Sequence, residues 1–166
     1  MRVNVIGTTA SGKSTFARKL AEVSDAPYVE MDAIYWGADW HEPSDGEFFS
    51  KLESSISSSS WILDGNYSRT LHIKWKEVQT IIWLDYSFSR TIYQSISRAL
   101  KRIYFKTELW PNTGNIETLS KMFSKDSIIL WCLKNYWKNK RQFKSLMNKP
   151  IYSHIQFVRL TSHQHE

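Results

Sequence analysis

The sequence predicts a three-layer α/β fold built around a five-stranded parallel sheet. Short apolar segments bounded by turn residues alternate along the chain with longer segments that carry apolar residues at helical spacing. The predicted strands are residues 2–6, 28–31, 61–63, 78–84 and 155–160. Strands that alternate with helices pair in parallel, because each helix crosses back over the sheet. The order of the strands cannot be read from this pattern.

The first predicted strand leads into a phosphate-binding loop. Residues 7–14 fit the pattern G-x-x-x-x-G-K-[ST], and residues 15–23 continue as a helix. The backbone N–H groups of such a loop and the positive end of the helix dipole attract phosphate. Lys13 is expected to reach the phosphates of ATP, and the Ser14 hydroxyl to coordinate Mg²⁺. The predicted nucleotide-binding residues are Gly7, Thr8, Thr9, Ala10, Ser11, Gly12, Lys13, Ser14 and Thr15.

Composition limits the class of protein. A chain of 166 residues suits one domain, residues 1–166, with a core of ordinary size. The single cysteine, Cys132, rules out an internal disulfide and favours a reducing compartment. No signal peptide or membrane-length apolar run occurs. We expect a cytoplasmic monomer without a membrane partner, and the net charge of +6 leaves nucleic acid open as a partner.

The remaining segments surround the predicted sheet edge. Residues 33–60 begin with an aromatic, irregular stretch and continue into a helix opened by a capping box at residues 44–47, and we call them the flap. A helix is predicted over residues 87–101, followed by a lid-like excursion over residues 103–125 and a long helix over residues 126–147. Ligands of parallel α/β sheets bind beyond the carboxyl ends of the strands, so aspartates that follow strands are candidate site residues.

The phosphate loop, together with Asp64-Gly65 after the third strand and the nearby Arg69, resembles the adenylate kinase group of nucleoside monophosphate kinases. The resemblance implies a P-loop NTPase fold, Mg²⁺ held by Asp64 directly or through water, and an acceptor phosphate gripped by Arg69. One more residue separates the Asp-Gly pair from Arg69 than in the usual adenylate kinase pattern. Arg98 and Arg102 stand where that group places lid arginines, although a solvated basic helix face is the alternative.

A closer resemblance is to small adenylate-kinase-like proteins called topology-modulation proteins, which share an Asp-x-x-x-Trp element. Here the element is Asp32 to Trp36. At this point the chain is also similar to shikimate and gluconate kinases, in which an aspartate contacts a substrate hydroxyl. With an alcohol acceptor, Asp32 would be the catalytic base. With a nucleoside monophosphate, it would bind ribose or base, or order the flap.

These patterns predict an ATP-dependent kinase that uses ATP and Mg²⁺ to phosphorylate a small acceptor. A nucleoside monophosphate is favoured over a small alcohol as the acceptor. A nucleotide-binding regulator of DNA topology is the rival from another class, suggested by the charge and the basic long helix. Lys138 and Arg141 of that helix are further candidates for phosphate contacts. His163 and His165 are assigned no metal site.

Overall fold

The computed structural model describes residues 1–106, 108–110, 113–115, 118 and 127–161. The strands are β1 (Arg2–Gly7), β2 (Tyr28–Glu30), β3 (Trp61–Asp64), β4 (Thr80–Leu84) and β5 (Gln156–Leu160). The α-helices in these ranges are α1 (Lys13–Ser24), α2 (Met31–Tyr35), α3 (Asp45–Ser55), α4 (Leu71–Lys74), α5 (Phe88–Phe105) and α6 (Ile128–Met147). Short 3₁₀ turns occupy Ala38–Trp40, Ser68–Thr70 and Pro150–Tyr152.

The five strands form one parallel sheet in the order β2-β3-β1-β4-β5, which confirms the predicted fold class. The pairing register sets Val5 opposite Asp64 on one side and Ile82 on the other. The carboxyl ends of β1, β2 and β3 therefore meet at one edge of the sheet. The phosphate loop, Asp32 and Asp64 all follow those ends, so the topology gathers the predicted site residues.

Each face of the sheet carries its own apolar core, because successive strand residues point to opposite faces. One core joins Val3, Val5 and Ile62 to Ala17 and Ala21 of α1. The opposite core is larger and is dominated by aromatic residues. It packs the strand residues Trp61, Leu63, Ile81 and Trp83 against Phe48 and Leu52 of α3 and Phe143 and Leu146 of α6. No helix in the described ranges is both long and apolar enough to cross a lipid bilayer.

Two predicted boundaries were wrong. The stretch after β2 is not wholly irregular: β2 ends at Glu30 and α2 begins at once, so Asp32 lies in the first turn of a short helix. The predicted helix over residues 87–101 ended too early. Helix α5 continues to Phe105 because Arg102 and Ile103 extend its helical pattern, and it stops where Lys106 adopts a left-handed conformation with φ 47°. Much of the predicted excursion, and both His163 and His165, lie outside the described residues.

Serine side chains cap the amino ends of α3, α5 and α6. Ser44 and Glu47 form the predicted capping box: the Ser44 hydroxyl accepts from the Glu47 N–H, and the Glu47 carboxylate accepts from the Ser44 N–H at 2.9 Å. Ser87 and Ser127 cap α5 and α6 in the same way by accepting from backbone N–H groups. These caps satisfy N–H groups that the first helical turn would leave without partners.

A buried ion network holds β4, β5 and α6 together. The Asp85 carboxylate follows β4 and its side chain is only 4% exposed. It accepts from Lys140 of α6 at 2.9 Å and from both the Nε and Nη2 atoms of Arg159 in β5. The Arg159 guanidinium also lies over the Trp83 ring. Asp85 therefore serves the packing of α6 on the sheet.

Asp85→Ala should lower the free energy of unfolding by about 2 kcal/mol, below the usual cost of breaking a buried pair because Arg159 stays 40% exposed. The matched control is Glu77→Ala, since Glu77 pairs with Arg2 but is 62% exposed. That exposed pair should contribute less than about 1 kcal/mol. Urea unfolding of the two variants tests the difference, and equal losses would contradict a structural role for the Asp85 network.

Candidate active site

The phosphate-binding loop has the backbone that its glycines predict. Gly12 adopts the left-handed conformation with φ 86° just before α1 begins at Lys13. At Gly7, an added Cβ atom would lie 2.9 Å from the Leu84 carbonyl oxygen and 2.6 Å from the Ser11 hydroxyl, so no larger residue fits. The close approach of β1 and β4 thus requires glycine at the start of the loop.

Polar side chains line the inside of the loop. The Ser11 hydroxyl is buried and has no hydrogen-bond partner among the described residues. The Lys13 ammonium lies across the loop and donates to the Thr8 carbonyl oxygen at 3.4 Å. A buried hydroxyl without a partner, a cation and the amino end of α1 together suit an anionic group such as a phosphate. The loop therefore fits the nucleotide that its sequence predicts.

Asp64 lies beside this loop and is only 4% exposed. In the part of the chain that the structure describes, its Oδ1 atom is buried without a hydrogen-bond partner, and its Oδ2 atom accepts from the Tyr28 hydroxyl at 3.4 Å. Burial raises the pKa of Asp64, while the nearby Lys13 ammonium and Ser14 hydroxyl lower it. A buried carboxylate oxygen without a partner next to a hydroxyl fits Mg²⁺, a hard cation that takes oxygen ligands.

Asn66 connects the two halves of this site and is not among the residues predicted from the sequence. Its amide nitrogen donates to the Gly7 carbonyl oxygen at 2.6 Å, and its amide oxygen accepts from the Gly7 N–H at 3.1 Å. Two hydrogen bonds to one residue fix both position and orientation. Asn66 therefore holds the start of the phosphate loop against the segment after Asp64. Its place directly after Asp64-Gly65 was the only signal in the sequence.

Lys74 bonds to the segment after Asp64 from the interior of the protein. It too is not among the residues predicted from the sequence. Its side chain is fully buried, and its ammonium donates to the carbonyl oxygens of Gly65 at 3.1 Å and Asn66 at 2.8 Å. Burial lowers the pKa of Lys74 to about 7, although the negative charge of Asp64 raises it. No pattern in the sequence distinguishes this lysine from an exposed one, because only the tertiary fold buries it.

Asp32 is exposed on α2, at the same sheet edge as the phosphate loop. Its Oδ1 atom accepts from the Tyr67 hydroxyl at 2.7 Å. Burial raises the pKa of Tyr67, and the Asp32 charge raises it further, so the tyrosine stays protonated and remains a donor. The Asp32 carboxylate is thus oriented by one bond and open to solvent on its other side.

Arg69 lies at the flap. Its guanidinium pairs with Asp45, the first residue of α3, at 3.0 Å. It also lies over the rings of Tyr35 and Phe48, at 5.0 Å and 5.4 Å from their centroids. Its side chain is 41% exposed. Arg69 therefore holds the flap helices together and keeps part of its surface open toward solvent.

The basic residues of α5 and α6 divide into two groups. Cys132 of α6 packs against the Thr9 carbonyl oxygen at 3.8 Å. Burial raises the pKa of this thiol, whereas Arg98 and Lys13 lower it, so Arg98 lies near Cys132, the residue of α6 that contacts the loop. Arg102, one helical turn further along α5, lies on the same side of that helix as Arg98. On α6 the exposed Lys138 and Arg141 lie away from Cys132, as their spacing of six and nine residues from it requires.

An aromatic cluster joins the flap to the described part of the excursion. The rings of Trp36 and Trp110 stack with centroids 6.1 Å apart, and Trp40 meets both rings edge-on. Asn115 is 1% exposed. Its amide donates to the Gly37 carbonyl oxygen and accepts from the Trp40 N–H, each at 3.0 Å. The two segments that flank the site therefore contact one another directly.

Asn66→Ala should weaken binding of Mg-ADP by up to roughly 30-fold, because two hydrogen bonds at about 1 kcal/mol each no longer position Gly7. The control is Asn148→Ala, which removes only a bond to the Lys144 carbonyl at the exposed end of α6. Isothermal titration calorimetry measures the affinities. Equal affinities for the wild type and Asn66→Ala would show that the loop keeps its shape without the clamp.

Stability should rise with pH because of Lys74. Between its folded pKa of about 7 and the usual value near 10.4, the unfolded chain holds a proton that the folded chain lacks. The free energy of unfolding of the wild type should therefore increase, relative to Lys74→Met, by up to about 1.4 kcal/mol per pH unit between roughly pH 7 and 9.5. Urea unfolding across this range tests it, with the exposed Lys76→Met as control. Parallel pH profiles for wild type and Lys74→Met would contradict it.

The chain is similar to known proteins in its fold and not in its sequence. No protein-family model matches the chain, and no curated protein matches it. Among solved structures, a gluconokinase from Sinorhizobium meliloti 1021 has a similar fold, with a TM-score of 0.51 and 13% sequence identity. The similarity covers 98% of this chain and 83% of the gluconokinase chain. Identity at this level shows a common fold alone, so the chain shares the α/β fold of this gluconokinase.

Proposed function

We propose that this protein is an ATP-dependent phosphotransferase that moves the γ-phosphate of Mg-ATP to a hydroxyl group of a small acceptor, such as a polyol or sugar acid. The observation that carries the proposal is the exposed Asp32 carboxylate, which the Tyr67 hydroxyl orients at 2.7 Å. It follows β2 at the same sheet edge where the phosphate loop follows β1. A donor site and an oriented carboxylate thus share one edge.

On the donor side, residues of the chain bind ATP and position its phosphates. The phosphate loop and the amino end of α1 hold phosphate oxygens, and Lys13 neutralises their charge. Ser14 and Asp64 would hold Mg²⁺, which would neutralise charge on the phosphates of ATP, and ATP would supply the phosphoryl group. Arg98 lies near Cys132 and would neutralise charge that develops during transfer. Positioning and charge neutralisation are the main contributions that phosphoryl transfer requires of a protein.

On the acceptor side, the class of substrate depends on whether the attacking oxygen carries a proton. An alcohol must lose its proton as it attacks, and Asp32 is open to accept one. A nucleoside monophosphate attacks through an oxygen that is already anionic, and it would meet repulsion from Asp32. This electrostatic argument favours the alcohol over the nucleoside monophosphate that the sequence favoured. The fold shared with a gluconokinase supports the same choice.

Arg69 supports a second candidate, a nucleoside monophosphate kinase. Its guanidinium is 41% exposed at the flap, so it could meet an acceptor phosphate without leaving Asp45. The same exposed guanidinium could bind the carboxylate of a sugar acid. The resemblance to topology-modulation proteins, and the alternative of a DNA regulator, rest on the sequence alone.

ADP release from Mg-ATP should increase with polyols or sugar acids and not with nucleoside monophosphates. Asp32→Asn should lower kcat about 100-fold or more with the responsive acceptor, because the general base is lost, and should leave Mg-ADP affinity unchanged. Asp39→Asn, at another exposed aspartate of the flap, is the control. Lys13→Ala should abolish turnover with every acceptor while the circular dichroism of the fold remains.

Two results would overturn this proposal in different ways. A response to nucleoside monophosphates that Asp32→Asn leaves intact would establish the second candidate. Tight Mg-ATP binding with no acceptor-dependent ADP release across the whole panel would exclude a phosphotransferase of either kind and favour a nucleotide-binding regulator.

A further inference from the structure

Helix α5 presents its large apolar side chains to solvent. The residues it buries against the protein are small: Thr91, Ser95 and Ala99. The large ones follow another line along the helix and are exposed: Tyr93 by 72%, Ile96 by 37%, Leu100 by 49% and Tyr104 by 80%. Spacings of three, four and four residues place this line on one face, roughly opposite the small residues. A surface helix of a globular protein normally has the reverse arrangement.

Helix α6 also presents apolar side chains to solvent. Leu130, Leu133 and Trp137 lie three and four residues apart, and their exposed fractions are 36%, 40% and 57%. The Trp137 ring stacks on Phe88, the first residue of α5, with the ring centroids 6.3 Å apart. Phe88 lies at helical spacing with Thr91, Ser95 and Ala99, so the stack places the small-residue side of α5 next to α6. We call the combined surface the α5–α6 face, defined by Tyr93, Ile96, Leu100, Tyr104, Leu130, Leu133 and Trp137.

Every charged side chain of α5 and α6 is positive. Four Lys or Arg residues lie in α5 and five in α6, and neither helix contains Asp or Glu. On α6, Lys134, Arg141 and Lys144 are exposed. They fall at helical spacing on the line that starts at Leu130 and passes Trp137. The apolar surface is therefore continued by exposed cations along the same helix.

We propose that the α5–α6 face docks on the surface of an anionic lipid bilayer. Aromatic and aliphatic side chains beside lysine and arginine are the composition of helices that lie in a bilayer interface. The rings and aliphatic groups enter the boundary between headgroups and acyl chains, and the cations meet anionic headgroups. The expectation of no membrane partner rested on the absence of a spanning segment, and an interfacial contact requires none.

The details of the face favour lipid over two other partners. Nucleic acid would use the cations and stack bases on the rings, but it offers nothing to the branched aliphatic groups of Ile96, Leu100 and Leu133. A second copy in a two-fold dimer would bring basic helices face to face without acidic residues to pair with them. A bilayer satisfies the apolar groups and the cations together.

Docking in this way would leave the candidate active site open. Arg98 and Cys132 lie on the inner sides of α5 and α6, close to the phosphate loop. The α5–α6 face points the opposite way, as helical geometry requires. The proposal is independent of the phosphotransferase activity, and its test needs no acceptor.

The test is sedimentation of the full chain with vesicles of phosphatidylcholine alone and of phosphatidylcholine mixed with phosphatidylglycerol. The protein should bind the mixed vesicles and should release as salt rises. Tyr93→Ser with Tyr104→Ser should weaken this binding at least roughly tenfold, because two rings leave the interface. Val23→Ser with Ile151→Ser is the matched control, since those side chains are 83% and 71% exposed elsewhere.

Charge is tested separately. Arg141→Gln with Lys144→Gln should weaken binding roughly tenfold or more, because each cation near an anionic bilayer contributes on the order of a fivefold gain. Lys51→Gln with Lys76→Gln removes two exposed cations elsewhere on the protein and should change the affinity less than about twofold. Circular dichroism confirms that each variant folds.

Four results would overturn the proposal. One is no binding to mixed vesicles at low salt, and another is full binding by the Tyr93→Ser, Tyr104→Ser variant. Tighter binding to duplex DNA than to the vesicles would assign the face to nucleic acid. A dimer in sedimentation velocity that the same tyrosine variant abolishes, without vesicle binding, would assign it to a second copy of the chain.

Discussion

Two hydrogen bonds between the Asn66 side chain and the Gly7 backbone join the parts of the candidate site. They connect the carboxyl ends of β1 and β3, which are neighbours in the sheet. The phosphate loop begins at one end of this connection, and Asp64 lies at the other. Because an amide bonds both the N–H and the carbonyl of Gly7, neither segment can shift without breaking a bond. The geometry between Lys13, Ser14 and Asp64 depends on this constraint.

A polar layer beneath the site supports the clamp. The Asn4 amide donates to the carbonyl oxygens of Leu63 and Gly65 and accepts from the Trp75 indole at 2.9 Å. Lys74 donates to the Gly65 carbonyl from another direction. Burying an ammonium costs free energy, and the lowered pKa of Lys74 is the measure of that cost. In return, the carbonyl groups of the turn after Asp64 have partners where water cannot reach them.

Helices α5 and α6 have different chemistry on their two sides. The inner side of α5 is lined with small residues, which let it approach the protein closely, and it carries Arg98 near Cys132 of α6. The outer sides of the two helices carry rings and aliphatic groups, and α6 adds exposed cations. If both proposals hold, phosphate chemistry and bilayer contact would occupy opposite faces of the same helix pair, and the acceptor would enter from the flap side.

The sequence alone determined the fold class, all five strands, the phosphate loop and the capping box, because each depends on local spacing or on alternation along the chain. It also identified Asp32 and Asp64 as candidates, since residues after parallel strands gather at one edge, and the resemblance to adenylate kinases added Arg69. Only the tertiary structure decided the strand order, the burial of Lys74 and the bonds of Asn66 to Gly7. These depend on groups distant along the chain, 59 residues apart for Asn66 and Gly7. It likewise revealed that the large apolar residues of α5 face outward, because periodicity gives a helix an apolar face but does not say what covers it.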